Sequence, residues 1–281
     1  MISPREHADP PPGIGEGGLL PRTLADAQGR DIPIGDARHA FFALLVGGAV
    51  WEIAGRTLHY SFLPPLSNVL RAALRLIASG QILGYLAASL VSLAIGYGLA
   101  ASGGVLLGLL MGRYHIVEYV VEPYVGTLLT APKLVFVPIL YAFLGIGRGT
   151  QVAVVFLSAF FVIVINTMAG IHSVDASWIE MARAFGAKER QLFWKVLLPG
   201  ALPLIMAGLR LGMGRAVKGM IRGEMFIALF GMGALLRKYG SRFDSESVFA
   251  ILLVVVALAL ICSYAVQLVE RRLTSWTEPR P

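Results

Sequence analysis

The sequence predicts an all-α integral membrane protein with about six transmembrane helices, and three observations carry that prediction. Of its 281 residues, 56% are hydrophobic and 15% charged, and the mean hydropathy is +0.71. A soluble domain carries about a quarter charged residues, so this chain lacks the charges to coat a water-facing surface. Second, three runs contain no Asp, Glu, Lys or Arg: Ile82 to Met111, Gly149 to Val174 and Ser247 to Val269. Each exceeds the roughly 20 residues that cross about 30 Å of hydrocarbon. Third, the polar stretches between such runs are short and carry helix signals. This composition excludes a disordered chain, a collagen-like one and an ordinary cytosolic enzyme. The single cysteine, Cys262, excludes an intrachain disulfide framework and a cysteine-based metal cluster.

At the N-terminus, residues 1–38 hold Pro10-Pro11-Pro12-Gly13 and Gly15-Glu16-Gly17-Gly18, which can neither nucleate a helix nor bury a core, so they are expected to be a disordered tail. The tail has no apolar run of the signal-peptide kind. The apolar region, 39–272, opens with a span from Ala40 to Gly55 that carries Glu52. After Leu63-Pro64-Pro65, Ser67 to Ser79 reads as a short interfacial helix. Val69, Leu70, Ala73, Leu74 and Ile77 lie to one side of it, with Arg71 and Arg75 on the other. Ile82 to Met111 is the second span. Tyr119 to Gly147 is the third, interrupted by Glu122, Lys133 and prolines. Gly149 to Val174 is the fourth, Val196 to Leu236 a long and charged fifth, and Ser247 to Val269 the sixth, leaving 273–281 as a C-terminal tail. With six spans, the segments on the side of both termini hold twelve Lys and Arg against seven on the other, which predicts both termini in the cytoplasm. The net charge of +7 is explained by this topology rather than by nucleic acid.

The insert between the fourth and fifth spans, 175–197, is the most informative stretch. Ser177-Trp178-Ile179-Glu180 has the spacing of a capping box. The helix it starts runs through Phe185 and is expected to stop at Gly186, the residue suited to a left-handed cap. A second helix, Lys188 to Leu197, leads to Pro199. Trp178, Ile179 and Phe185 form an apolar patch on a polar loop, which suggests a protein partner.

This stretch resembles the permease subunits of binding-protein-dependent ABC importers. The family pattern stands here as Glu180-Met181-Ala182, three residues, Gly186, nine residues, then Val196-Leu197-Leu198-Pro199. Met181 replaces an alanine and Val196 an isoleucine. Leu63-Pro64-Pro65, Ala131-Pro132-Lys133, Phe160-Phe161, Asn166-Thr167, Gly208-Leu209-Arg210 and Glu224-Met225 are similar to the nitrate, sulfonate and taurine branch. The likeness runs from about residue 40 to 275. It implies a type I importer permease in the bacterial inner membrane. The implied partners are a dimer of ABC ATPase subunits, a second permease copy (a homodimer being expected), an extracytoplasmic solute-binding protein, and membrane lipid. The insert would be a cytoplasmic coupling helix, with Ser177, Trp178, Glu180, Met181, Ala182, Phe185, Gly186 and Pro199 at the ATPase. No Gly-x4-Gly-Lys-Ser/Thr loop exists in the chain, so no cofactor is expected here, ATP and magnesium belonging to the partner.

Charges within spans are costly, by roughly 2.5 to 3.5 kcal/mol each, and usually face a cavity or a partner. Arg215, Lys218 and Arg222 are three and four residues apart and share one helix face. With Lys133 and Glu224 they are the candidates for lining a path that favours a small anionic solute. The competing reading has the cations snorkelling to an interface or pairing with Glu224 and a partner subunit. Gly104, Gly108 and Gly112, Gly208 and Gly212, and Gly219 and Gly223 predict close helix packing. Two rival functions stay open on the sequence alone: a stand-alone secondary transporter or channel, and a membrane enzyme, for which only Glu118 and Glu122 approach a cluster. No histidine pair has metal-ligand spacing.

Overall fold

The computed structural model describes residues 37–58, 62–227 and 229–274; the expected tails fall, apart from their innermost residues, outside these. Helices joined by short turns make up the described residues, with no strand among them. The helices are α1 (Ala37–Thr57), α2 (Leu66–Ala78), α3 (Gln81–Arg113), α4 (His115–Thr130), α5 (Val137–Leu144), α6 (Arg148–His172) and α7 (Ala176–Ala184). Then come α8 (Glu189–Ile227), α9 (Met232–Gly240) and α10 (Ser245–Leu273). The described residues divide into two units between Trp51 and Glu52, and the second contains every helix from α2 onward.

Among the described residues, four helices, α3, α6, α8 and α10, are long and apolar enough to cross a membrane. The pair made of His115–Thr130 and Lys133–Leu144, bent by 99° at the break between them, passes the same test together and makes a fifth crossing when counted as one broken span. α1, whose 21 residues include Glu52 and Arg56, is not in that set. The six expected spans thus appear as four or five, with the difference resting on α1 and on the bent pair.

Lipid tails are as apolar as leucine, so helices in a bilayer associate through close packing of small residues rather than through water exclusion. Here α6 is the central helix, held between two glycine stripes. On one side Gly96, Gly104, Gly108 and Gly112 of α3 lie against Val155, Ile163, Thr167 and Ile171. The numbers climb together, so α3 and α6 run parallel. The chain between them must return, and the bent α4–α5 pair makes the return. On the other side Gly208, Gly212, Gly219 and Gly223 of α8 meet Asn166, Ile163, Ser158 and Val154; the numbers run oppositely, so α8 is antiparallel to α6. Leu93, Ala100, Val155, Ala159, Ile163, Ala216, Val217 and Met220 fill the seam between the three. The glycine pairs predicted from spacing do the packing expected of them, joined by Gly96.

Glu52, the one charge in the apolar run of α1, caps the next helix: its Oε2 accepts the backbone N–H of Ser67 at 2.9 Å and its Oε1 the Ser67 hydroxyl at 2.9 Å. That satisfies amides which the first turn of α2 leaves without intrahelical partners. The apolar residues of α2 do not form the single side expected. Val69, Ala72 and Leu76 are buried, while Leu70, Leu74 and Ile77 are exposed. The helix therefore has a protein face, an exposed apolar face and a basic face, and Asn68 Nδ2 donates to Glu246 of α10 at 2.9 Å.

Candidate functional site

The insert begins two residues earlier than its serine suggested. Asp175 is the N-cap of α7, its Oδ1 accepting the backbone N–H of Ser177 at 2.8 Å. This corrects the capping-box reading: Ser177 is a donor to the cap. The Ser177 amide and hydroxyl hold the Asp175 carboxyl below the usual carboxylate range. At the other end Gly186 has φ +75°. Its N–H donates to Arg183 O at 2.9 Å and the Ala187 N–H to Ala182 O at 3.0 Å, which is the paired closure of a Schellman cap.

The second helix is not a separate element. From Glu189 it continues through a π-helical turn, Phe193–Leu197, straight into the long span. Proline supplies the reason. Pro199 has no N–H to give the Lys195 carbonyl, and its ring crowds the preceding turn, so the turn widens. Trp178, Met181 and Phe185 of this elbow are 55, 54 and 86% exposed. With Ala182, Lys195 and Pro199 they line one open groove. Ser177 and Glu180 are exposed on α7. Glu189 ties the elbow sideways, pairing with Arg113 at the end of α3 and with Arg183 at 3.5 Å.

The second feature lies inside the spans. Lys133, Arg215, Lys218 and Arg222 line one cavity of about 300 Å³, together with Ala131, Pro132 and Ser158. Lys133 occupies the break between α4 and α5. Its ammonium donates to the carbonyls of Leu128, Leu129 and Ala131 at 2.6, 2.6 and 2.9 Å. All three of its donors are thereby used, and the charge sits where the α4 dipole favours it. Ser158 likewise donates to Val154 O at 2.7 Å. Arg215, Lys218 and Arg222, by contrast, have neither a hydrogen-bond acceptor nor a carboxylate partner among the described residues, and no acidic residue lines the cavity.

Glu224 is not in this cavity. It is fully buried. Its Oε1 accepts the Ser89 hydroxyl of α3 at 2.6 Å and the Gln151 side-chain amide of α6. Its Oε2 accepts the backbone N–H of Gly233, in α9, at 2.8 Å. Ser92 donates to Gln151 Oε1 at 2.7 Å, and Ser89 Oγ accepts the Met232 N–H at 2.8 Å. Sequence reasoning named Glu224 but not Ser89, Ser92 or Gln151; polar residues within uncharged spans were the available signal. The structure also brings His115 and His172 to Glu118, at 3.2 and 3.7 Å. No group able to hold a metal occurs among the described residues.

Comparison with known proteins bears directly on this arrangement. Residues 104–275, more than half of the chain, match the family model described as the binding-protein-dependent transport system inner membrane component. A probable ABC transporter permease of Brucella abortus (strain 2308) is 32% identical over 237 residues, covering 84% of this chain and 94% of that protein. A putative aliphatic sulfonates transport permease of Bacillus subtilis (strain 168) is 31% identical over 265 residues, 92% of this chain and 95% of that one. Among solved structures, an inward-facing methionine ABC transporter superposes with a TM-score of 0.54 at 22% identity, over 68% of this chain and 93% of its own. The stand-alone transporter or channel is not favoured by these matches. A parallel helix pair bridged by a bent return, a capped elbow leading into a long span, and the sequence kinship together place this chain in the family of binding-protein-dependent transport system inner membrane components, as a permease subunit of an ABC importer.

Proposed function

We propose that this permease conducts a small anionic solute, and that the cavity of Lys133, Arg215, Lys218 and Arg222 borders the path. One observation carries the reading: three cations within a span stand unpaired around a single cavity that no carboxylate enters. Each cation in a span is costly unless it meets water or an anion. Lys133 is the keystone of the helix break, since its donors are spent on carbonyls; Arg215, Lys218 and Arg222 are left to meet the solute. The relative named for aliphatic sulfonates carries an anionic cargo of this kind.

The groove around Trp178, Met181 and Phe185 seats an ABC ATPase subunit, which holds ATP and magnesium. The same complex contains a second permease copy, making a homodimer, and an extracytoplasmic solute-binding protein on the face opposite the elbow. The C-terminal end of α10 then lies in the cytoplasm, and the N-terminus joins it there with α1 as a sixth crossing. The support is the exposed aromatic patch on a capped, rigid helix, separated by one tight turn from the helix that runs unbroken into the cation-bearing span. The test is uptake by the assembled transporter carrying Lys218→Gln with Arg222→Gln. Uptake is expected to fall by at least about 100-fold, the loss of roughly two charge-assisted contacts, while ATPase assembly stays intact. Normal uptake by the double variant overturns the anion path.

A further inference from the structure

The buried Glu224 carboxylate has no part in that path, yet it joins four elements. Projected at 100° per residue, Arg215, Lys218 and Arg222 span about 60° of α8, whereas Glu224 lies about 150° from their centre. The helix thus turns one face to the cavity and the nearly opposite one to a buried polar cluster. Between the two lies the glycine stripe against α6. Glycine contacts permit close approach, but a smooth surface of small residues resists sliding and rotation only weakly. Hydrogen bonds are directional, and this cluster supplies them at the end of α8 where the cations sit.

Its geometry closes completely. Three donors reach the two oxygens of Glu224: Ser89 from α3, Gln151 from α6 and the Gly233 amide of α9. Each side-chain donor is itself fixed, Gln151 by Ser92 and Ser89 by the Met232 amide. A Cβ at Gly231 would collide with the carboxyl group, and one at Gly233 would stand 2.6 Å from Glu224 Cβ, so the backbone of the turn is moulded to this side chain. We infer that Glu224 is a positioning residue: it locks α3, α6, α8 and α9 into one block and thereby holds Arg215, Lys218 and Arg222 toward the cavity. The last clause rests on the anion-path reading; the locking does not. The moving joint of the transporter is then the break at Ala131–Lys133, not the seams between these four helices.

The test reads the rotation of α8 apart from transport. In a Cys262→Ala background, Lys218→Cys reports one wall of the cavity on α8, and Ser158→Cys a wall on α6. The assembled transporter in membrane vesicles is labelled with a water-soluble methanethiosulfonate. Glu224→Ala, and the milder Ser89→Ala, are expected to slow labelling at Lys218→Cys by about fivefold or more, the factor that losing a buried hydrogen bond gives. Labelling at Ser158→Cys should stay within about twofold. The reciprocal pair Glu224→Gln with Gln151→Glu, which keeps a carboxylate–amide contact, should recover part of the loss that Glu224→Gln alone produces. With the cysteines absent, Ser89→Ala should raise the KM for uptake more than it lowers kcat, since a turned face weakens solute contacts without reducing the number of transporters. Unchanged Lys218→Cys labelling in both Glu224→Ala and Ser89→Ala overturns the inference. Slowed labelling with normal uptake upholds the lock and overturns the anion path instead.

Discussion

Gly108 lies directly against Thr167: a Cβ at position 108 would stand 2.6 Å from Thr167 Cβ and 2.6 Å from the Val164 carbonyl oxygen. Neither neighbour is the free end of a flexible side chain, so α3 and α6 would have to separate. Gly108→Ala should destabilise the protein by about 1–3 kcal/mol, the range for overpacking. Gly98, on the same helix, has nothing within 4 Å of the corresponding position, and Gly98→Ala should gain up to about 1 kcal/mol from helix propensity. Thermal unfolding of the two variants in detergent, run side by side, checks both signs. Equal effects would mean that the α3–α6 approach is not set by glycine.

Gly186 holds φ at +75°, where a Cβ is strained by roughly 1–2 kcal/mol. Since nothing lies within 4 Å of a Cβ there, the strain is conformational rather than steric. Gly186→Ala should therefore loosen the end of α7 without disturbing the spans. Uptake per ATP hydrolysed is expected to drop severalfold while the melting temperature of the spans is unchanged. Normal coupling in this variant would argue against a rigid elbow.

Asp175 gives the elbow a pH dependence of defined sign. Hydrogen bonds from Ser177 lower its pKa in the folded chain. The cap is therefore at full strength above the ordinary carboxylate pKa and is lost as pH falls through the lowered value. Hydrogen exchange at the first amides of α7 should rise on that acid side. Asp175→Asn, a capable cap that does not titrate, should remove the pH dependence while keeping protection. An exchange profile that is the same for both proteins would contradict the assignment of Asp175 as N-cap.

Lys133 spans three carbonyls at a helix break, and broken helices within a membrane need such compensation. Lys133→Met keeps the aliphatic stem but removes every donor. It should cost at least about 1.5 kcal/mol, the lower value for a hydrogen bond to a charged group, read as a lower midpoint of thermal unfolding. Lys133→Arg should fall between that variant and the parent. If Lys133→Met proves as stable as the parent, the ammonium is not the keystone of the break.

What the sequence disclosed and withheld depends on the range of each interaction. Uncharged runs, the glycine spacing of Gly104 with Gly108 and Gly112, and the stop at Gly186 are local signals, and the structure carries them as written. The cations Arg215, Lys218 and Arg222 were grouped correctly because they lie on one helix; Lys133 joined them from another element. Glu224 was misplaced because its partners Ser89, Gln151 and Gly233 are far away in the chain or across a turn. The second elbow helix, read as a separate Lys188 to Leu197 segment leading to Pro199, runs on into the span because a π-helical turn accommodates the proline.

The widened turn at Phe193–Leu197 holds one residue more than regular winding allows. The wide turn takes up its surplus residue locally, so the helix on either side keeps the phase of a regular rod. Glu189, one turn before it, is held by Arg113 and Arg183, so the docking end is fastened from the side as well as along the rod.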